Sequence, residues 1–367
     1  MRIAQVAPLY ESVPPQLYGG TERVVSYLTE ELVRQGHHVT LFASGDSQTR
    51  ARLIPVCERS LRLDPEQRDQ LAHHVLMLEE VAKRAAHFDV IHFHIDYLHY
   101  PLSRRQPVAQ LTTLHGRLDM PELAPLYAEF REMPVVSISD AQRAPLPHAN
   151  WLGTVHHGLP LDLLRFAAGP GSYLAFVGRT SPEKGLDRAI EIARRAGIEL
   201  RIAAKVDAAD REYFEEVIAP LLDGPLVEFV GEIGEAEKEE FLGKALALLF
   251  PIDWPEPFGL VMIEAMACGT PVIAFSGGSV SEIVDPGRTG FIVADLDAAV
   301  GAVGEVARLD RSLCREVFEA RFSAERMACE YLDLYERTLI ASASPARTRR
   351  CVSSRPAPAP RPGGARR

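Results

Sequence analysis

Two acidic residues near position 260 have a spacing that suits the binding of a polar ligand. Glu256 precedes Pro257, and Glu264 follows in the same segment. Because proline is favoured in the first turn of a helix, this segment predicts a helix over 258–267 with Glu256 at its mouth. The backbone N–H groups left free at that mouth would be those of Phe258, Gly259 and Leu260. Two carboxylates beside such donors favour a long ligand rich in hydroxyl groups, and the alternative is a buried helix whose Glu264 is satisfied by a neighbour.

Two basic residues flank a turn between a predicted strand and a predicted helix further upstream. Arg179 follows Gly178 at the end of the strand, and Lys184 lies near the start of the helix. The first strand-to-helix turn of a doubly wound domain is where phosphate binds. The fork of an arginine and the point charge of a lysine suit a diphosphate, and the alternative is surface pairing with Glu183 or Asp187.

A pair of glycines, Gly19 and Gly20, follows the first predicted strand and opens a helical segment. Glycine lets a ligand approach the backbone closely, and the N-terminus of a helix attracts anions. These residues are therefore a candidate anion site, and the alternative is that they only shape a turn.

Histidines occur at the ends of two consecutive predicted strands. His92 and His94 alternate, so both side chains face the same side of the sheet, and His115 ends the next strand. A metal site is one alternative, but no carboxylate or cysteine spacing beyond Asp96 supports it. Contact with a ligand in a cleft is favoured, first for His115 and then for His94, while His92 is also consistent with a core position.

The elements that must position these residues alternate between strands and helices. Strands are predicted at 3–7, 38–43, 90–94, 108–115, 135–139, 173–177, 200–204, 227–230, 246–250 and 272–275. Helices are predicted at 20–34, about 65–86, 182–196, 208–219, 236–244, 258–267 and 323–340. This alternation predicts two doubly wound α/β domains, 1–160 and 172–322, whose parallel sheets face a cleft. A last helix over 323–340 and a disordered tail over 341–367 complete the prediction.

Composition limits the class of protein. The chain has 367 residues, of which 47% are hydrophobic and 25% charged, which is typical of a globular protein of about two domains. A net charge of −10 disfavours binding to nucleic acid, and no stable membrane association is expected, although the arginines of the tail leave both partners open. Five scattered cysteines and the lack of a secretory signal predict a reduced, cytoplasmic chain without disulfides.

Motifs of other nucleotide and hydrolase sites are absent from the sequence. No strand is followed by GxGxxG, and neither GxxxxGK[ST] nor GxSxG occurs. The sequence therefore does not favour a dehydrogenase, a P-loop protein or a serine hydrolase.

Taken together, the motifs resemble those of the family 4 retaining glycosyltransferases. The segments that carry the resemblance are residues 18–23, 89–94, 115–119, 178–185 and 256–271. Residues 18–23 and 115–119 are most similar to the subgroup of the avilamycin-pathway glycosyltransferase. The resemblance covers residues 1–340 and implies the GT-B fold, with two Rossmann-like domains around a central cleft. It also implies that the last helix crosses back to the N-terminal domain.

The resemblance assigns roles to the candidate residues. It implies that the N-terminal domain binds the acceptor and the C-terminal domain the nucleotide sugar. The catalytic residues it implies are His115, Arg179, Lys184 and Glu256. The donor-binding residues it implies are Gly19, Gly20, His94, Gly178, Gly231, Ile233, Phe258, Gly259, Leu260 and Glu264. Arg179 and Lys184 would hold the diphosphate, Glu264 the ribose, and Glu256 with the neighbouring N–H groups the sugar.

The reaction that the resemblance implies needs neither cofactor nor metal. Cleavage of a glycosyl–phosphate bond leaves negative charge on the diphosphate, which fixed cations and helix N-termini can stabilise. Front-face transfer would then retain the anomeric configuration without a protein nucleophile. The expected donor is UDP-glucose, with GDP-mannose and others open, and the expected acceptor is a soluble small molecule or saccharide. The alternatives are another GT-B enzyme, such as an epimerase or phosphorylase, or a nucleotide-sugar sensor without turnover.

Overall fold

The structure is a computed structural model that describes residues 1–16, 19–62, 64 and 68–343. Tyr18 of the glycine motif, residues 65–67 at the start of a predicted helix and residues 344–367 of the predicted tail lie outside the described residues. Within the described part of the chain, no helix is both long and apolar enough to cross a membrane.

Parallel strands form the sheet of the N-terminal domain. They are β1 (Arg2–Val6), β2 (His38–Ala43), β3 (Arg52–Pro55), β4 (Val90–Phe93), β5 (Ala109–Thr113), β6 (Pro134–Ser137) and β7 (Asn150–Thr154). Their order in the sheet is β3-β2-β1-β4-β5-β6-β7. The strands β2 and β3 are therefore added on one side of β1, and β4 to β7 are added on its other side. The sequence did not predict β3 and β7, which lie at the two edges. Their partly exposed residues give no continuous apolar run of the kind that marks a buried parallel strand.

The C-terminal domain repeats this architecture. Its strands are β8 (Tyr173–Arg179), β9 (Leu200–Lys205), β10 (Val227–Gly231), β11 (Ala245–Phe250), β12 (Val272–Phe275) and β13 (Gly290–Val293). Their order is β10-β9-β8-β11-β12-β13, and each neighbouring pair is parallel. The one strand here that the sequence did not predict, β13, is again at an edge. The two doubly wound sheets confirm the predicted fold class.

Helices cover both faces of the two sheets. They are α1 (Gly20–Arg34), α2 (Gln70–Arg84), α3 (Tyr100–Ser103), α4 (Leu123–Glu129), α5 (Leu186–Ala196), α6 (Arg211–Tyr213), α7 (Glu235–Gly243), α8 (Leu260–Ala267), α9 (Val280–Ile283), α10 (Leu296–Val306), α11 (Arg311–Arg321) and α12 (Ala324–Ala343). The segment predicted as a helix over 208–219 is helical but irregular. A 3-10 turn over Ala208–Asp210 leads into α6, and a π-helical turn over Phe214–Ile218 and a 3-10 turn over Ala219–Leu221 follow. Pro220 lies in these turns, and proline cannot donate a backbone hydrogen bond to a regular helix.

The two helices next to the predicted site residues of the C-terminal domain, α5 and α8, begin later than predicted, whereas α1 begins at Gly20 as predicted. The predicted start at Pro182 is a 3-10 turn, and α5 begins only at Leu186. The helix predicted from 258 begins at Leu260. A glycine in the left-handed backbone region precedes each helix, with φ 68° at Gly185 and 79° at Gly259. Glycine adopts this region without the strain that a Cβ causes, so each helix starts after its glycine.

The last helix, α12, leaves the C-terminal domain and packs on α1 and β5 of the N-terminal domain. Its residues Tyr331 and Tyr335 are 1% and 0% exposed and belong to a hydrophobic core that contains residues of both domains. The predicted crossing of the last helix is therefore confirmed. The helix extends to Ala343, so the first residues of the predicted tail are helical.

Candidate functional site

A cleft of about 710 Å³ separates the carboxyl ends of the two sheets. Small-molecule sites have volumes of roughly 300–1,000 Å³. Of the residues predicted for the site, only Gly231 does not line this cleft. It ends β10, and the following Glu232 and Ile233 reach the lining instead. The predicted residues that do line the cleft are Gly19, Gly20, His94, His115, Gly178, Arg179, Lys184, Ile233, Glu256, Phe258, Gly259, Leu260 and Glu264.

Arg179 is the last residue of β8 and faces two carboxylates. Its Nη2 lies 2.7 Å from Oε1 of Glu183, and its Nε lies 3.0 Å from Oδ2 of Asp210. About one third of the Arg179 side chain remains exposed, because the residue also lines the cleft. The alternative of pairing with Glu183 is therefore realised, whereas Asp187 accepts a hydrogen bond from Tyr213 instead. Pairing and access to the cleft coexist at this arginine.

Lys184 and Glu256 form a buried ion pair at the centre of the C-terminal wall. The Nζ of Lys184 lies 2.5 Å from Oε2 of Glu256, and the two side chains are 18% and 9% exposed. The indole N–H of Trp254 donates to the same oxygen at 3.0 Å, and the Lys184 ammonium lies 4.8 Å from the centre of the Trp254 ring. Such a pair holds both charges in fixed positions in a partly dry site. An anion bound beside Lys184 would share the positive charge of this lysine with Glu256.

Gly185 fixes the position of Lys184. A Cβ built on Gly185 would lie 2.1 Å from the carbonyl oxygen of Pro251. The turn that carries Lys184 therefore packs directly on the strand end that precedes Glu256, and only glycine fits between them.

Glu264 lies in the second turn of α8 and pairs with a lysine of α7. The Nζ of Lys238 lies 2.7 Å from Oε1 of Glu264, whose side chain is 4% exposed. Both residues line the cleft. The alternative reading of Glu264, a carboxylate satisfied by a neighbour, is thus met, and it does not remove the residue from the cleft.

The N-termini of α1 and α8 face each other across the cleft. A Cβ built on Gly20, the first residue of α1, would lie 3.6 Å from the Cδ1 of Leu260, the first residue of α8. Each helix N-terminus carries unpaired N–H groups and a partial positive charge. Leu260 is the first residue of α8, Gly259 precedes it as the cap, and Phe258 lies before the helix with its side chain buried against His157. The role of their N–H groups as a row of donors stays a prediction.

Polar contacts between α1 and α7 and between α9 and the loop after β6 join the two domains. Nη1 of Arg23 on α1 lies 2.6 Å from Oε1 of Glu235 on α7, and the hydroxyl of Tyr27 donates to the same oxygen. Elsewhere the carboxylate of Glu282 on α9 accepts the backbone N–H of Asp140 at 2.8 Å. These contacts hold the two walls at a fixed distance in this conformation.

The predicted histidines meet on one face of the N-terminal sheet. Nε2 of His115 and Nδ1 of His94 are 2.9 Å apart, and Nε2 of His94 lies 2.8 Å from Oε1 of Gln5. Burial lowers the pKa of His94 well below its usual range and that of His115 to about 3, so both rings are neutral. Among the described residues, no group of three or more His, Cys, Asp or Glu side chains is arranged to hold a metal ion.

Asp96 follows the histidine strand and lies in the cleft with an unusual backbone. Its φ is 49°, the one positive value for a non-glycine residue in the described part of the chain. Burial raises the pKa of its carboxyl to about 6, against a hydrogen bond from the backbone N–H of His115. Aspartate is one of the few residues that tolerate this backbone region, which is enriched at ligand sites.

Some site residues were missed by the sequence reasoning. The residues missed are partners of predicted site residues, namely Gln5, Lys238 and His157. The sequence around each of them indicates a strand, a helix or a loop but gives no sign of a binding site. A third histidine doublet at 156–157, after β7, is the signal that could have found His157. For Lys238 no local signal exists, because the pair with Glu264 joins residues of two helices.

Two family models match most of both domains. The model described as Glycosyltransferase Family 4 matches residues 18–171, and the model described as Glycosyl transferases group 1 matches residues 167–309. Among curated relatives, the D-inositol 3-phosphate glycosyltransferase of Streptomyces scabiei is 33% identical over 175 residues. That match covers 41% of this chain and 39% of the relative, so the chain spans about two fifths of that protein's length.

Solved structures extend the likeness to nearly the whole chain. AviGT4, a glycosyltransferase involved in avilamycin A biosynthesis, has a TM-score of 0.72 and 25% identity, and the match covers 93% of this chain and 98% of that one. HepE of Anabaena, in complex with UDP and glucose, has a TM-score of 0.73 at 17% identity, over 92% of this chain and 100% of that one. The likeness to HepE shows the fold alone.

Proposed function

Because the chain belongs to the family 4 glycosyltransferases, we propose that it transfers a hexose from a nucleoside diphosphate sugar to an acceptor hydroxyl. One observation carries the proposal. Arg179, Lys184 and the facing N-termini of α1 and α8 converge on one cleft that is also lined by the carboxylates of Glu256 and Glu264. Positive groups for a diphosphate and acceptors for sugar hydroxyls are thus placed side by side.

The C-terminal wall supplies the stabilisation of the leaving group. As the bond between the anomeric carbon and the phosphate oxygen breaks, negative charge grows on the diphosphate. Lys184 and Arg179 are already held in place by carboxylates, so they need little reorganisation to stabilise that charge. This arrangement supports transfer without a divalent metal.

Retention of the anomeric configuration follows from attack on the face that the diphosphate leaves. The acceptor oxygen bonds to the anomeric carbon, and the acceptor's proton passes to the departing phosphate oxygen. No protein nucleophile is then needed. Glu256 supports this route, because its Oε2 is engaged by both Lys184 and Trp254.

The donor is proposed to be a UDP sugar, with glucose as the first candidate. The bound UDP and glucose in HepE and the fold that it shares with this chain support this choice. Glu264 and Ile233 are available in the cleft for the ribose and the base. The acceptor is proposed to be a soluble polyol or saccharide, which fits the name of the inositol phosphate relative.

The test measures thermal unfolding with UDP, GDP, ADP and CMP, each with and without EDTA. A ligand at 100 times its Kd adds about 2.7 kcal/mol to the free energy of unfolding. We expect a shift with UDP that survives EDTA, followed by release of hexose from the matching UDP sugar. NMR of the first-formed product should show the anomeric configuration of the donor.

Other outcomes separate the alternatives. A shift without any turnover indicates a sensor, and a changed sugar still attached to the nucleotide indicates an epimerase. Absence of a shift with every nucleotide contradicts the proposal, and a shift abolished by EDTA contradicts its metal-independent form.

A further inference from the structure

A chain of hydrogen bonds links the last helix, α12, to His115 in the cleft. The Nε2 of Gln5 donates to the hydroxyl of Tyr335 at 3.0 Å. The Oε1 of Gln5 lies 2.8 Å from Nε2 of His94, and Nδ1 of His94 lies 2.9 Å from Nε2 of His115. We call Tyr335, Gln5, His94 and His115 the histidine chain. It crosses the N-terminal sheet from a helix that follows the C-terminal domain in sequence.

The histidine chain is shielded from water over most of its length. Gln5 and Tyr335 are 0% exposed, and His94 is 2% exposed. The titratable groups around the two rings are His92, His157 and Asp96. A neutral imidazole has one N–H and one lone pair, so each hydrogen bond along the chain has a defined direction.

The amide of Gln5 decides that direction. With its nitrogen donating to Tyr335, its oxygen can only accept, so Nε2 of His94 carries the hydrogen. Nδ1 of His94 is then a lone pair and accepts the Nε2–H of His115. The remaining nitrogen of His115, Nδ1, is left as an acceptor, and it is buried with no hydrogen-bond partner among the described residues. A buried acceptor without a partner needs one, and because His115 lines the cleft, a ligand bound there can supply it.

The hydroxyl of Tyr335 is itself held in one orientation. It accepts from Gln5 and lies 2.8 Å from Nδ1 of His92, to which it can donate its own hydrogen. Nε2 of His92 lies 2.7 Å from the hydroxyl of Thr113, which lies 2.8 Å from the hydroxyl of Tyr331. This side branch involves a second tyrosine of α12. In the described residues it makes no hydrogen bond to Gln5, His94 or His115, although the ring of His92 packs on that of His94 with centroids 4.0 Å apart.

We propose that Gln5 and Tyr335 are positioning residues that fix the tautomer of His115 and present its Nδ1 as an acceptor for a sugar hydroxyl. The inference rests on the proposed function, since it is the nucleotide sugar that supplies this hydroxyl. It makes α12 part of the site, because the amide of Gln5 is oriented only while Tyr335 is docked. A measurement of thermal stability alone does not detect this positioning role. Identification of the ring nitrogen that carries the hydrogen in His94 and in His115 does.

The direct test is NMR of protein with ¹⁵N-labelled histidine, in which long-range proton–nitrogen couplings identify the protonated ring nitrogen. Spectra are assigned with His94→Asn and His115→Asn. In the unsubstituted protein we expect hydrogen on Nε2 of both rings. In Tyr335→Phe and in Gln5→Met we expect His115 to populate both tautomers, because the amide is no longer oriented or no longer present.

Tyr331→Phe is the matched control, since it removes a buried hydroxyl from the same helix, keeps the ring, and removes no hydrogen bond of the histidine chain. Its spectrum should keep the Nε2–H tautomer of His115. Hydrogen on Nδ1 of His115 in the unsubstituted protein overturns the inference. An unchanged tautomer in both Tyr335→Phe and Gln5→Met overturns it as well.

Kinetics give the second readout. We expect Gln5→Met and Tyr335→Phe to lower kcat for donor consumption about tenfold, the value of one well-made hydrogen bond, and Tyr331→Phe to stay within about twofold. The KM for the donor should change little in all three variants. If the unsubstituted protein has the expected tautomers but consumes no donor, the proposed function fails. If it turns over with the other tautomer, only the positioning role fails.

Discussion

The two walls of the cleft both bury polar groups, but they do so in opposite ways. The C-terminal wall keeps its groups charged, with Arg179 facing Glu183 and Lys184 facing Glu256. The histidine chain on the N-terminal wall keeps its rings neutral. Both nitrogens of His94 and Nε2 of His115 are hydrogen-bonded to an amide or to another ring rather than to a carboxylate. Burial is the main cause of the lowered pKa of these histidines, and the neighbouring rings of His92, His115 and His157 lower the pKa of His94 further.

The difference teaches which property each wall contributes. A charged group responds to charge that develops during a reaction, and its effect is large where water is excluded. A neutral imidazole contributes a directional hydrogen bond, worth about 0.5–1.5 kcal/mol in net stability. We therefore expect the C-terminal wall to control the rate through electrostatics and the histidine chain to control orientation.

The largest expected effect comes from Lys184→Ala. Removal of one preorganised group that stabilises developing charge costs about 10²–10³ in kcat. We expect a loss of this size in donor consumption, with the fold kept, as judged by a cooperative thermal transition. Arg195→Ala is the control. This arginine lies on α5 of the same domain as Lys184, and it pairs with Asp297 away from the cleft.

The comparison between the walls fails if His115→Ala lowers kcat as much as Lys184→Ala does. A Lys184→Ala variant that keeps its activity would also contradict the assignment of the diphosphate site. Both variants should be measured with the same donor and at saturating concentration, so that changes in KM do not enter.

A smaller effect is expected from Glu264→Gln. If Glu264 accepts the ribose hydroxyls, its charge contributes equally before and during the reaction, so kcat should change little. A hydrogen bond to a charged group is worth about 1.5–3 kcal/mol, which corresponds to a rise of at least tenfold in the Kd of the nucleoside diphosphate. Isothermal titration with UDP measures it.

Glu240→Gln is the matched control for this variant. It removes the charge of another glutamate, an exposed one on α7 that pairs with Lys244 outside the cleft. Unchanged nucleotide affinity in Glu264→Gln would remove the ribose role. It would leave Glu264 as the structural partner of Lys238.

The smallest expected effect concerns Asp96 beside the histidine chain. Its pKa is about 6 in the folded chain and lower in the unfolded chain, so between about pH 4 and 6 the folded state binds more protons. The free energy of unfolding therefore falls as the pH rises through this window. Asp96→Asn, which keeps a side chain that tolerates positive φ, should be more stable than the unsubstituted protein at pH 7 and not at pH 4.

The gain should be about 1 kcal/mol or less. Although surrounding protein atoms desolvate the carboxyl enough to raise its pKa, part of the Asp96 residue stays exposed to the cleft, where water screens its charge. Denaturant unfolding at both pH values measures it. A gain that is equal at pH 4 and pH 7 would show that the carboxyl does not titrate with a raised pKa. Asp96 would then no longer count as an acidic group with a raised pKa beside the neutral histidine chain.

Much of the fold was predictable because its signals are local. The buried inner strands of both sheets appear as apolar runs, and α1 was predicted with the bounds that the structure gives it, over 20–34. Three of the four edge strands, β3, β7 and β13, were missed. They are only four or five residues long, and β3 and β7 are also partly exposed along their length and show no continuous apolar run. The starts of α5 and α8 were wrong because a left-handed glycine, not the upstream proline, sets each boundary.

The candidate site was predictable as a set of residue types that follow strands. Topology brings the carboxyl ends of parallel strands together, so Gly20, Arg179 and Glu256 had to meet near one cleft if the two sheets face each other. The roles assigned to these residues stay predictions. The partners of those residues were not predictable, because pairs such as Lys238–Glu264 join elements that are distant in sequence.

By itself, the sequence determined the strand–helix alternation, the positions of the cations and carboxylates after strands, and the family to which the chain belongs. Those features are carried by short-range pattern and residue type. Only the tertiary structure decided which carboxylate each cation faces, which nitrogen of each histidine is engaged, and that Tyr335 reaches Gln5 from a helix at the far end of the chain. Such contacts depend on how whole elements pack, and packing is set by the summed shape of the core rather than by any local segment.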